Sequence, residues 1–121
     1  MEQEHKIYHS HRAEPYFTFV KNGVKTIEGR IKKGKYQDII FGDHIIIHNE
    51  EETENFEVVV LDVRPYSSFR EMLEKESLKK VLPNVSSVSG GVKIYKKFYS
   101  SEQEKEFGVV AIEIERIVPS P

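Results

Sequence analysis

Short apolar segments with a period of two residues or with many β-branched side chains recur along the chain, and both patterns are typical of β-strands. These segments span residues 6–11, 25–31, 44–48, 56–63 and 109–118. In the last segment Val110, Ile112 and Ile114 share one face, which is predicted to point into a core. Because only a short acidic connection separates 44–48 from 56–63, these two strands are predicted to form an antiparallel hairpin.

Helical patterns occur between the strands. Pro15 suits the first turn of a short helix, because its missing N–H costs nothing there, and Gly23 suits the C-terminal cap. The sequence from Ser68 to Glu71 fits a capping box and predicts a helix that continues to about Lys80.

The segment after this helix is predicted to be first a loop and then helical. Residues 84–91 are rich in Ser, Gly and Asn, whereas Val92, Tyr95 and Tyr99 recur at helical spacing. A second capping-box pattern starts at Ser101. The resulting order, β-α-β-β-β-α-α-β, predicts a small α+β domain around a curved sheet.

Length and composition fit one intracellular domain. The chain has 121 residues, of which 38% are hydrophobic and 31% charged, and it contains no cysteine. A disulfide framework, a zinc–thiolate site and a cysteine nucleophile are therefore excluded. No apolar run approaches the ~18 residues of a membrane span, and the polar N-terminus does not resemble a signal peptide. We expect an intracellular, cytoplasmic protein without a membrane partner, although a nuclear location stays open.

The segment 22–30 carries the strongest candidate chemistry. If it is extended, Thr26, Glu28 and Arg30 fall on one face, with Lys25 at the strand entrance. The opposite face then carries the apolar residues Ile27 and Ile31. A hydroxyl, a carboxylate and a guanidinium in one row are suited to a polar or anionic ligand. The alternative is an exposed strand face on which Glu28 and Arg30 simply neutralise each other.

Further candidate ligand-binding residues lie near the end of the helical pattern that follows residues 84–91. Tyr99 offers a ring on which a base can stack, and Ser100 offers a hydroxyl for a phosphate. Alternatively, Tyr99 is a core residue and Ser100 only caps a helix. Because the net charge is −2, nucleic-acid binding would need a local basic patch. The candidate lysines are Lys32, Lys33, Lys35, Lys93, Lys96 and Lys97.

Three histidines near the N-terminus are candidate metal ligands. His9 and His11 share a face if residues 6–11 are a strand, and His5 is nearby. No third ligand follows at a spacing typical of metal sites. We therefore expect neither a metal site nor another cofactor.

The chain resembles the ASCH domain family, a branch of the PUA-like superfamily. The family pattern G-x-K-x-x-E-x-R is filled without a gap by Gly23, Lys25, Glu28 and Arg30. Three further blocks resemble the family in the same order, at 41–45, 66–74 and 98–112. The resemblance covers about residues 5–117, so residues 1–121 are interpreted as a single ASCH domain.

The resemblance implies a PUA-like β-barrel flanked by helices, with a cleft between them that binds RNA or a nucleotide. It implies as ligand-binding residues Lys25, Thr26, Glu28, Arg30, Tyr99 and Ser100. Some related small proteins are hydrolases. One group deacylates acetylated cytidine with a lysine, a threonine and a glutamate, and another member is described as a ribonuclease with a lysine, a tyrosine and a serine.

Whether this chain is an enzyme stays open at the level of sequence. In the deacylase pattern the lysine corresponds to Lys25, but the threonine position is occupied by Glu28, so that nucleophile is missing. The deacylase glutamate has Glu74 and Glu76 as candidates. The ribonuclease pattern would use Lys25 with Tyr99 and Ser100. If there is activity, Lys25 and Glu28 are the predicted catalytic residues. A protein-interaction scaffold is the remaining alternative.

Overall fold

A computed structural model describes residues 4–118. Within this part of the chain, helices and strands follow one another as β1 (Ile7–Arg12), α1 (Tyr16–Lys21), β2 (Ile27–Ile31), α2 (Lys35–Asp38), β3 (His44–Asn49), β4 (Asn55–Tyr66), α3 (Phe69–Lys75), α4 (Leu78–Val81), α5 (Val88–Lys96), α6 (Ser101–Phe107) and β5 (Val109–Ile117). The predicted α+β class is confirmed, and all five predicted strands are present in the predicted order.

The strands form one sheet in the order β1-β3-β4-β5-β2. Strand β1 is parallel to β3, whereas the other pairs are antiparallel, including the predicted β3–β4 hairpin. A register shift between Val60 and Asp62 interrupts the long β4–β5 pairing, and such irregularities bend a sheet. The sheet curls until its two edge strands meet, since the Arg12 and Glu28 side chains are hydrogen-bonded between β1 and β2.

Two hydrophobic cores lie on opposite faces of the curled sheet. Val110, Ile112 and Ile114 belong to the inner core, as the alternation in β5 predicted. Ala111 belongs to the outer core, in which helices α3 and α5 cover the sheet. The side chains of β2 alternate between the two faces of the sheet. Ile27 and Ile31 are buried in the outer core, as predicted.

Strand β2 is shorter than the strand predicted over residues 25–31. It begins at Ile27 rather than at Lys25, because the two residues before it bond to other elements. The Lys25 N–H donates to the Phe19 carbonyl in α1, and the Thr26 N–H donates to the Lys80 carbonyl in α4. Lys25 and Thr26 therefore link helices α1 and α4 to the start of β2, although the Thr26 carbonyl still accepts from the Ile114 N–H in β5.

The predicted helix from Ser68 to about Lys80 is wrong in its length. Ser68 caps it as predicted by accepting from the Glu71 N–H at 3.0 Å, but α3 ends at Lys75. Glu76 is extended, and its carboxylate is held by Arg64 of β4 at 2.7 and 2.8 Å. This tertiary contact interrupts the helix, so that α4 starts as a separate turn.

Two further helix boundaries differ from the predictions, and one short helix was not predicted. The predicted loop 84–91 is partly helical, because Ser87 accepts from the Gly90 N–H and α5 begins at the next residue. The second capping box is centred on Ser100 with Gln103, one residue before the predicted position. The short helix α2 was not predicted. It begins after Gly34, whose φ of +60° suits glycine.

Candidate functional site

A cavity of about 530 Å³ opens between the curled sheet and the helices. The end of β1, the start of α1, residues 25–30 and the end of α5 all contribute to its wall. Its size falls within the range of small-ligand sites. The side chains that matter chemically form two groups. The ionic group consists of Arg12, Lys25, Glu28 and Arg30, and the aromatic group consists of Tyr16, Tyr95, Phe98 and Tyr99.

A buried ion pair between Arg12 and Glu28 forms the inner end of the cavity. Arg12 Nε donates to Glu28 Oε1 at 2.8 Å, and each side chain is only 5% exposed. The Arg12 Nη1 group also donates to Ser10 Oγ at 2.6 Å and to the His11 carbonyl at 2.7 Å. Because Glu28 is paired with Ile112 across the β2–β5 ladder, its side chain points to the inner face of the sheet.

Three surrounding cations keep the Glu28 carboxylate ionised. Burial works to raise its pKa, but Arg12, Lys25 and Arg30 outweigh burial and lower the pKa to about 2. Glu28 is therefore a fixed hydrogen-bond acceptor at neutral pH. It is correspondingly a weak base.

Arg30 is the least engaged cation of the site. Its guanidinium stacks on the Tyr36 ring at 5.1 Å, and its Nη2 lies 3.8 Å from Glu28 Oε2, beyond hydrogen-bond distance. The Arg30 Nε is buried and has no hydrogen-bond partner among residues 4–118. Burial works to lower the Arg30 pKa, but Glu28, Tyr36 and Tyr99 hold it above the ordinary value. Arg30 therefore carries a permanent charge with unused donor capacity.

Lys25 is buried rather than solvated at a strand entrance. Its Nζ donates to the Ile27 carbonyl at 2.7 Å and to the Val81 carbonyl, and it lies 5.9 Å from the centre of the Tyr16 ring. Burial, with help from neighbouring Arg12, lowers the pKa of Lys25 to about 8, although Glu28 opposes the shift. The amine thus joins β2 to α4 and also contributes to the cavity wall.

A stack of three rings supports the aromatic side of the cavity. Phe69 lies parallel to Tyr95 at 4.1 Å and near-parallel to Tyr99 at 5.3 Å between ring centres. Tyr95 can reach β2 because Gly29 has no side chain. A Cβ on Gly29 would lie 2.7 Å from the Tyr95 hydroxyl. Burial raises the pKa of Tyr95, so this hydroxyl stays protonated.

The structure brings together some of the predicted site residues and separates others. Lys25, Glu28, Arg30 and Tyr99 line the same cavity. Thr26 and Ser100 are not part of its wall. The Thr26 carbonyl accepts from the Ile114 N–H, and the Ser100 hydroxyl caps α6 by accepting from the Gln103 N–H at 3.1 Å.

Arg12 is the member of the ionic group that sequence reasoning missed. It lies outside the G-x-K-x-x-E-x-R pattern, and its carboxylate partner is 16 residues away in sequence. A signal was present, because extending the alternation of the first strand by one residue places Arg12 on the same face as Ser10. Both of these residues are buried.

Side chains of both charges line the mouth of the cavity. Lys97 lines it, together with Phe98, whose exposed fraction is 72%. Glu14 and Glu50 also contribute to the lining. The other candidate lysines, at positions 32, 33, 35, 93 and 96, lie outside the wall.

A stack of histidines runs along β1 and β3 beside this mouth. His48 lies between His9 and His11, with 5.2 Å between ring centres on each side. His9 and His48 are hydrogen-bonded at 2.9 Å, and His11 pairs with Glu52 at 2.7 Å. Within residues 4–118, no group of three or more His, Asp or Glu side chains is arranged to hold a metal ion. No helix in this range is both long and apolar enough to cross a membrane.

A curled sheet closed by an ion pair, with a cavity between the sheet and its helices, agrees with a PUA-like α+β fold. The family model for the ASCH domain matches residues 11–118, and this chain belongs to the ASCH domain family. No curated protein matches the chain.

Two solved structures share this fold over almost their whole length. The crystal structure of hypothetical protein PH0355 is 47% identical, with a TM-score of 0.83, and the match covers 93% of this chain and 99% of that chain. The solution NMR structure of protein PF0455 from Pyrococcus furiosus is 41% identical, with a TM-score of 0.73, and covers 93% and 97%. The PUA-like fold expected from the family resemblance is thereby confirmed.

Proposed function

We propose that this protein binds RNA or a nucleotide in the cavity between its sheet and its helices. The observation that carries the proposal is the position of the Arg30 guanidinium, whose buried Nε has no hydrogen-bond partner among residues 4–118, in a cavity walled by Tyr16, Tyr95 and Tyr99. Guanidinium groups pair with bases and phosphates, and aromatic rings stack on bases, so this combination suits a nucleotide.

Electrostatics sets the expected strength of RNA binding. The chain carries a net charge of −2, so non-specific attraction to a polyanion is weak. Lys97 at the mouth, with Lys93 and Lys96 near it in α5, offers a small basic area for a backbone. We therefore expect modest affinity that falls further as the salt concentration increases.

Isothermal titration calorimetry tests the proposal with the four nucleoside 5′-monophosphates and a short single-stranded RNA. Arg30→Met should reduce affinity at least tenfold, because the guanidinium is lost. Arg70→Met is the matched control, since Arg70 is exposed on α3, away from the cavity. The absence of measurable binding to the wild-type protein, or equal affinity in both variants, would refute the proposal.

Hydrolysis of a modified nucleoside or RNA is the second candidate, and the lowered pKa of Lys25 favours it. A lysine amine that is poised close to neutral pH is suited to acid–base chemistry. Glu28, the other catalytic candidate, is less suited to be the base, because Arg12 hydrogen-bonds it and its pKa is about 2. Turnover of acetylated cytidine or short RNA that is lost in Lys25→Met but not in Arg70→Met would support this activity.

A further inference from the structure

We propose that Tyr36 is a positioning residue of the cavity: its ring holds the Arg30 guanidinium in place, and its hydroxyl connects this support, through Ser10, to Arg12. The inference rests on the proposed function for its effect on ligand binding, but the arrangement itself can be measured without a ligand. Tyr36 lies in α2, outside the G-x-K-x-x-E-x-R pattern, and the cavity wall does not include it.

The position of Tyr36 in the fold is set by packing. Its half-buried side chain packs against the inner core, and it also lines a second cavity of about 300 Å³. Helix α2 places it there because Gly34, with a φ of +60°, turns the chain shortly after β2. A ring that is packed against a core and hydrogen-bonded through its hydroxyl has little freedom to move, so it is a firm support for a neighbouring side chain.

The ion pair with Glu28 does not by itself fix the Arg30 guanidinium. The Arg30 Nη2 lies 3.8 Å from Glu28 Oε2, beyond hydrogen-bond distance, and the buried Arg30 Nε has no hydrogen-bond partner among residues 4–118. The central guanidinium carbon lies 5.1 Å from the centre of the Tyr36 ring, within the range of a cation–π contact. Such contacts are strongest where water is excluded. We therefore expect the Tyr36 ring to set the orientation of Arg30.

The Tyr36 hydroxyl extends this support to the buried ion pair. It lies 2.9 Å from Ser10 Oγ, which also accepts from Arg12 Nη1 at 2.6 Å. Arg12 in turn donates to Glu28, and Glu28 faces Arg30, so the five side chains form a closed ring of contacts. These side chains come from β1, β2 and α2. A change at Tyr36 should therefore alter the surroundings of both arginines.

The charges around Tyr36 make this contact observable. Burial works to raise the pKa of the Tyr36 hydroxyl, but Arg30, the strongest opposing influence, lowers it. Arg12, the hydrogen bond with Ser10, and Lys35 act in the same direction, so the pKa lies below its ordinary value. The Lys35 Nζ lies 5.5 Å from the centre of the ring. Removal of the Arg30 charge should therefore raise the pKa of Tyr36.

Spectrophotometric titration tests the contact without a ligand. The chain has six tyrosines, so the titration of Tyr36 is obtained as the difference in phenolate absorbance between wild type and Tyr36→Phe. The same difference, measured in the Arg30→Met background, should move to higher pH. In the Arg70→Met background, which changes an exposed arginine outside the cavity wall, it should stay in place. An unchanged titration of Tyr36 in the Arg30→Met background would overturn the inference.

Calorimetry with the four nucleoside 5′-monophosphates and a short single-stranded RNA tests the consequence for binding. Tyr36→Leu should weaken the affinity about tenfold, as expected for a partly desolvated cation–π contact. Tyr36→Phe keeps the ring and should lose clearly less. Tyr8→Leu is the matched control and should stay within about twofold of wild type, because Tyr8 packs against the same core and lies outside the cavity wall. Equal affinity in Tyr36→Leu and Tyr8→Leu would contradict the positioning role.

A double-mutant cycle separates positioning of Arg30 from a general structural role. If Tyr36 acts through Arg30, Tyr36→Leu should have little further effect on affinity in the Arg30→Met background. The full loss in that background would show that Tyr36 acts independently of Arg30, against the inference. If the wild-type protein binds no nucleotide or RNA, the proposed function fails, and the titration still decides whether Tyr36 holds Arg30. If a ligand binds and Tyr36→Leu has no effect, the proposed function stands and this inference fails.

Discussion

At the scale of single residues, the buried pair of Arg12 and Glu28 links the stability of the fold to the chemistry of the cavity. Each side chain is only 5% exposed, so neither charge has access to bulk water. A buried charge that loses its partner is strongly destabilising. The pair also fixes the carboxylate that faces the cavity, so one contact serves both the closure of the sheet and the site.

Arg12→Met is predicted to lower the free energy of unfolding by about 3 kcal/mol, because it leaves the Glu28 carboxylate buried without its hydrogen-bonded partner. The matched control is Lys21→Met, which breaks the exposed pair between Lys21 and Glu54 and should cost less than about 1 kcal/mol. Urea denaturation at pH 7 measures both. A loss in Arg12→Met no larger than in the control would show that the buried pair does not stabilise the fold.

The lowered pKa of Lys25 predicts how the stability of the protein depends on pH. Its pKa is about 8 in the folded protein and is ordinarily 10.5, so between these values the unfolded chain binds more protons than the folded one. The stability contributed by this residue therefore rises as the pH increases from about 8 towards 10.5. The difference in unfolding free energy between wild type and Lys25→Met should increase from pH 7 to pH 9.5.

Exposed Lys93 provides the reference for this measurement. The difference between wild type and Lys93→Met should stay constant over the same pH range. A constant difference for Lys25→Met as well would mean that Lys25 titrates like a solvated lysine.

At the scale of elements, the start of α6 favours the helix-cap interpretation of Ser100. The sequence left open a ligand contact or a helix cap, and the hydroxyl bonds to Gln103 in a capping box. Ser100→Ala is predicted to cost about 1 kcal/mol of stability. It should leave nucleotide affinity within twofold of wild type, since Ser100 lies outside the cavity wall.

Ser101→Ala is the neighbouring control for this prediction. Ser101 is exposed at the first helical position and is expected to change stability by less than about 0.5 kcal/mol. If Ser100→Ala weakens nucleotide binding and leaves thermal stability unchanged, the ligand-binding interpretation is the correct one.

The elements also show which features were predictable from sequence. Alternation, or a run of apolar β-branched side chains, located all five strands, because both patterns are typical of strands that pack against a core. The break between α3 and α4 was not predictable from local pattern, since Glu76 is held by Arg64 in a distant strand. Such tertiary contacts override the helix propensity of the local sequence.

The same distinction holds for the site. Glu28 and Arg30 were expected on one face, and they line the cavity together because a short strand is governed by local geometry. Arg12 was missed, because its pairing with Glu28 depends on which strands lie at the edges of the sheet. Strand order results from the topology of the whole sheet, so the sequence of one segment alone does not predict it.

At the scale of the whole molecule, the curl of the sheet creates the cavity. Strands β1 and β2 lie at opposite ends of the sheet order, yet they meet where Arg12 is hydrogen-bonded to Glu28. The helices then cover the open side with aromatic residues. The central claim of the account is that this junction of edge strands and helices is where a nucleotide binds.

Mapping by NMR tests this claim most directly. In a titration of the ¹⁵N-labelled protein with a nucleoside monophosphate, we expect saturable shifts of the backbone amides of Gly29, Arg30, Tyr95 and Tyr99. The amides of Asp62 and Glu113, which lie near Arg64 and outside the cavity wall, should stay unchanged. Saturable shifts centred on Asp62 and Glu113, or no saturable shift in the cavity, would contradict the account.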